Sequence, residues 1–141
     1  MRCLLVYSSV TGNTKAVAEA IRSVLPESAV TAALADAPAP SNLGSFELVI
    51  LGFWVHRAGP DPAMRRYMEG VRGKTVAFFG TLAAYPDSDH AKKVIAATEA
   101  LLRANRIAGS FLCQGKLAPE RYARRMRADS GNTGHPMTAE R

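Results

Sequence analysis

The chain has 141 residues, 48% of them hydrophobic, which suits one domain with one core, and no apolar run approaches the roughly 18 residues of a membrane span. Its two cysteines, Cys3 and Cys113, stand far apart in apolar runs; this excludes a disulfide framework and a CxxC site and leads us to expect buried free thiols in a reducing cytoplasm, with no cleavable leader ahead of them. The formal net charge of +6 suits an acidic partner, a nucleic acid or an anionic ligand, and equally a plain solvated basic surface.

In chain order, residues 2–7 (RCLLVY) read as a buried strand. Residues 13–25 place Ala16, Val17, Ala20, Ile21, Val24 and Leu25 at helical spacing and stop at Pro26. Residues 29–34 form a weaker strand, and the Pro- and Ala-rich stretch 36–44 is loop. Residues 47–52 (ELVILG) are a second strong strand, and 61–72 a helix with Met64, Tyr67, Met68 and Val71 on one side. A third strong strand at 74–80 (KTVAFFG) leads to the longest helix, 88–104, with Val94, Ile95, Leu101 and Leu102 inward. Residues 107–113 (IAGSFLC) are the last strand, and 119–128 a short final helix. The segment HPMTAER at 135–141 reads as the start of a helix cut short, so 117–141 is expected to be a short or incomplete helix and tail on a single domain spanning 1–141.

Strands that alternate with helices require crossover connections, hence a parallel sheet with helices on both faces. Continuous apolar runs such as LLVY, LVILG and VAFF fit central strands buried on both sides. The expected fold is α/β: a doubly wound five-stranded parallel sheet in a three-layer sandwich. Its ligand site lies beyond the carboxyl ends of the strands, shared by loops 8–14, 53–60 and 81–88.

The first of these loops, SSVTGNT at 8–14, sets hydroxyls, a glycine and an asparagine between a strand and a helix N-terminus. Unpaired backbone N–H groups and the helix dipole make that place an anion site. Hydroxyls add donors without charge, and Gly12 lets the backbone turn closely. A Ser/Thr-rich capping turn is the plainer alternative. Dinucleotide and P-loop motifs are excluded: no GxGxxG follows the first strand, and GKT at 73–75 precedes a strand with Met68 where a glycine is required.

Taken together, SSVTGNT, LGFWVHRAG and FFGTLAAYPDSDHAKKV, in that order over residues 1–116, resemble the phosphate loop and the two flavin loops of flavodoxins. The resemblance implies strand order 2-1-3-4-5 and FMN as cofactor. It implies phosphate contacts from Ser8, Ser9, Thr11, Gly12, Asn13 and Thr14, with Trp54, Val55, His56, Arg57 and Gly59 in the first flavin loop and Thr81, Leu82 and Tyr85 in the second. Trp54 and Tyr85 would stack on the ring, and Gly59 would ease a backbone flip among residues 56–59. Phe53 is expected in the core. Asp61, Asp87 and Asp89 are the acids at the loop ends, two of them candidate helix caps. The second loop departs from the GxGD of typical flavodoxins, and the chain is basic where those are acidic.

The expected function is electron transfer, or a small flavin oxidoreductase, with redox partner proteins that are acidic, and with neither nucleic acid nor membrane. The competing reading is an interaction module of the same fold that binds a partner through its basic surface without flavin. No catalytic acid–base pair or nucleophile stands out, and the histidines and cysteines have no metal-ligand spacing.

Overall fold

Apolar runs become parallel strands because their side chains can be buried on both faces at once. A computed structural model describes residues 2–82 and 88–114. Strands β1 (Cys3–Tyr7), β2 (Val30–Ala33), β3 (Leu48–His56), β5 (Thr75–Leu82) and β6 (Arg106–Gln114) lie parallel in the order β2-β1-β3-β5-β6. The two-residue β4 (Gly59–Pro60) folds back antiparallel on the end of β3. With β4 left out of the count, this is the expected 2-1-3-4-5 order.

Alternation along β1 and β3 divides the core in two. Leu4, Val6, Val49, Leu51, Phe53 and Phe78 face α2 (Pro62–Gly70) and α3 (Asp89–Leu101) and pack with Met64, Met68 and Val94. Leu5, Ile50 and Phe79 face α1 (Asn13–Arg22) and pack on Ala18. Two caps fix where the helices on the larger side begin. Asp61 accepts the Met64 N–H at 3.2 Å with Pro62 at the first helical position, and Ser88 accepts the Ala91 N–H at 3.1 Å.

Three elements differ from the sequence expectation, one of them β5, which runs on to Leu82 by pairing with β6 where a loop from 81 is expected. Helix α1 ends at Arg22, leaving Val24 81% exposed, and its inward stripe is Thr14 and Ala18 flanked by Val17 and Ile21, with Ala16 and Ala20 outside. The stripe turns because Thr14 has a buried hydroxyl partner and so tolerates the interior. Strand β3 runs on to His56 rather than stopping at 52, because its far end pairs with β5 on one side and β4 on the other. The expected helix at 119–128 and the segment 117–141 lie outside the described residues. Among the described residues no helix is long and apolar enough to cross a membrane.

Gly52 sits opposite Phe79 in the ladder, and a Cβ placed there would fall inside the Phe79 ring, itself buried and stacked on Phe111. Gly52→Ala should therefore destabilise the protein by about 1–3 kcal/mol in urea unfolding, the usual overpacking cost. Gly44→Ala, where a Cβ meets open space, should leave stability near its starting value.

Candidate functional site

The carboxyl ends of β1, β3 and β5 meet at the switch point, and a buried acid ties their loops together. The Ser8 N–H donates to the Gly52 carbonyl at 2.9 Å, which fixes the chain as it leaves β1. The Ser8 hydroxyl then donates to Asp61 Oδ2 at 2.8 Å. The same carboxylate oxygen caps α2, while the Asp61 N–H donates to the Trp54 carbonyl at 3.0 Å. Asp61 is 1% exposed, and its Oδ1 has no hydrogen-bond partner among the described residues. Sequence reading treated Asp61 only as a candidate cap. The Asp-Pro start of a helix was visible, but its bond to Ser8, across 53 residues, was not.

The 8–14 turn closes on itself. Ser9 Oγ accepts the backbone N–H groups of Gly12 at 3.1 Å and Lys15 at 3.4 Å. Gly12 holds φ 90° at the N-cap of α1, a conformation that favours glycine, and α1 has neither a side-chain cap bond nor an acid in its first turn. Two convergent N–H donors and the helix's positive end are therefore satisfied by one neutral hydroxyl oxygen, the acceptor role an anion's oxygen would take. Thr11 is exposed and makes no hydrogen bond to another described residue; Asn13 is half-buried and engaged. Thr14 Oγ1 and Thr81 Oγ1 lie 2.9 Å apart in the interior, binding the start of α1 to the end of β5.

The expected first flavin loop is a strand hairpin. Trp54 is half-buried and meets the His56 ring edge-on at 5.6 Å, and Val55 packs against the main core. His56 pairs with Gly59 around a turn of Arg57 and Ala58, with Arg57 at φ 59°. The left-handed residue is thus Arg57 and not Gly59, which is buried with the Arg65 guanidinium 2.6 Å from where its Cβ would be. Thr81 lies in β5, bonded to Thr14; the Leu82 side chain is in the core, so only its backbone faces outward chemistry. Phe53 is fully buried against Phe78, as expected. Tyr85 lies outside the described residues.

Cys113 is half-buried on β6 beside Thr81, and desolvation pushes its thiol pKa up. Tyr67 donates its hydroxyl to the Pro38 carbonyl at 2.7 Å, and burial raises its pKa too. Both groups are held in the neutral form and serve packing. Among the described residues no cluster of three or more His, Cys, Asp or Glu could hold a metal ion.

A doubly wound parallel sheet with a hydroxyl-rich turn at its switch point and an aromatic hairpin beside it defines an α/β protein of flavodoxin-like fold. The chain belongs to the flavodoxin domain family, whose model matches residues 4–141. It is 32% identical over 123 residues to the flavodoxin-like domain-containing protein BilS of Clostridioides difficile strain CD3, covering 84% of this chain and 68% of that one. The protein of the same description from Clostridium symbiosum strain WAL-14163 is 28% identical over 148 residues, 92% of this chain and 77% of the relative. Among solved structures, a flavoprotein in complex with FMN from Lactobacillus acidophilus NCFM superposes with a TM-score of 0.62 at 17% identity, over 79% of this chain and 92% of that one. Oxidised flavodoxin 1 from Bacillus cereus gives 0.58 at 18% identity, over 97% and 100%.

Removing one hydroxyl of the buried Thr14–Thr81 pair strands the other. Thr81→Val alone should lose about 1–3 kcal/mol in chemical unfolding, while Thr14→Val/Thr81→Val should recover much of that loss. Strictly additive losses would show that the two hydroxyls do not depend on each other. The raised Cys113 pKa means less thiolate at any given pH below it. Iodoacetamide at pH 8 should therefore modify Cys113 in the folded protein several-fold more slowly than in the urea-unfolded chain, with the reactive limb of its pH profile displaced upward.

Proposed function

We propose that the protein binds FMN at the mouth of the sheet and carries electrons between partner proteins, the acceptor or donor presenting an acidic surface to this basic chain. The observation that carries the reading is the convergence of the Gly12 and Lys15 N–H groups on Ser9 Oγ at an otherwise uncapped helix N-terminus. A phosphate oxygen fits the same two donors, and the open space around Gly12 leaves room for its approach. Family membership and the FMN complex of the Lactobacillus flavoprotein support the choice of ligand.

In this reading the phosphate displaces the Ser9 oxygen, and Thr11 adds its unengaged hydroxyl. Ser8, committed to Asp61, positions the turn and does not donate to the phosphate. Trp54 and Tyr85 flank the isoalloxazine, with His56 in the same hairpin, and Arg57 sets cationic character beside it. When bound, FMN supplies reversible one- and two-electron chemistry; the protein contributes binding, orientation and the local field. Two free cysteines without a disulfide framework accord with a reducing cytoplasm.

Titrating the apoprotein with FMN and with riboflavin tests this. Two charge-assisted hydrogen bonds are worth about 3 kcal/mol or more, so FMN should bind at least about a hundredfold more tightly than riboflavin. Thr11→Ala should weaken FMN by about 0.5–3 kcal/mol and leave riboflavin unchanged. Emission from Trp54, the single tryptophan, should be quenched on saturation. Equal affinity for the two flavins would remove the phosphate from this turn, and no flavin binding at all would leave an interaction module.

A further inference from the structure

We propose that the groove between α2 and α3 is the docking site for an acidic segment of the partner protein; this deepens the electron-carrier reading and rests on it. A cavity of about 820 Å³ there is lined by Arg57, Arg65, Arg72 and Arg103 against a single acid, Glu69, over a floor of alanine, valine and leucine. All four arginines are exposed, and none has a carboxylate within 4.0 Å among the described residues, where the ion pair found is Lys92–Asp89. A smaller space of about 350 Å³ continues from Arg57 and Arg65 to His56 and Arg66. The groove therefore runs from the outer ends of the two helices to the tip of the hairpin that carries Trp54.

The spacing of the charges selects the occupant. Arg65 lies in the first turn of α2 and Arg72 two residues past its end, about 10 Å apart along the helix axis. Four arginines rooted at separate points around one groove suit carboxylates spaced along a peptide, each taken by a planar fork. The apolar floor accepts aliphatic side chains between those carboxylates. A nucleic acid is disfavoured: among the described residues the groove has no aromatic side chain on which a base could stack, and Glu69 would repel a phosphate backbone.

Arg57 adds an independent sign. A non-glycine residue at φ 59° stands in the left-handed region that favours glycine, a strained place for an arginine. The strained position holds a guanidinium where the groove meets the hairpin, so a partner seated in the groove is brought against the loop assigned to the flavin.

The test uses the full chain with a fluorescein-labelled glutamate–leucine peptide read by anisotropy at low salt. Arg72→Ser/Arg103→Ser should weaken the peptide by at least about tenfold. Lys92→Ser/Lys93→Ser, which removes the same charge from α3 outside the groove, should weaken it by less than about threefold. Equal losses in the two variants would reduce the effect to overall charge and overturn the proposal. Displacement of the peptide by oligothymidylate at lower concentration than by unlabelled peptide would overturn it in favour of a nucleic acid. Flavin titration of the same variants separates the two readings. If peptide binding follows the groove while FMN does not bind, the carrier reading falls and the groove stands; if FMN binds and the peptide losses are equal, only the groove falls.

Discussion

A carboxylate with no cation partner among the described residues holds the mouth of this sheet together. Burying Asp61 costs several kcal/mol in desolvation. Hydrogen bonds from the Ser8 hydroxyl and the Met64 N–H, each about 1.5–3 kcal/mol for a charged acceptor, together with the positive end of α2, offset that cost. In return one residue fixes three things: the exit of the chain from β1, the start of α2 and, through its own N–H, the Trp54 carbonyl.

The anion turn depends on that arrangement. With Ser8 held back, the turn over Gly12 is drawn around Ser9, and Thr14 ties its far end to β5 through Thr81. A carboxylate this close to the turn also explains why the donors are backbone amides and hydroxyls held at fixed positions. The compensating positive charge stands further out, on the hairpin tip at Arg57 and along α2.

The two faces of the sheet then serve different ends. The α1 face secures the turn. The α2–α3 face carries most of the core on its inner side and, on its outer side, arginines with no carboxylate partner among the described residues. Electrostatic recognition of the kind proposed for that outer side sets encounter rate and orientation more than raw affinity.

The amino-acid sequence by itself determined the parallel α/β sheet, because buried strands and amphipathic helices write their period directly into the residue pattern; the strand order came from the resemblance of its three loops to those of flavodoxins, and the observed order agrees with it. It placed Met64, Tyr67, Met68 and Val71 inward correctly for the same reason. It misjudged the stripe of α1 and the length of β3. Whether Thr14 turns inward depends on a hydroxyl 67 residues away, and whether residues 53–56 are strand or loop depends on partners in β4 and β5. The role of Asp61, the left-handed turn at Arg57 and the gathering of Arg57, Arg65, Arg72 and Arg103 into one groove were decided only by the tertiary structure. Each is a meeting of residues distant in the chain, and local periodicity carries no record of which distant side chain will supply a buried polar group with its partner or leave a charge without one.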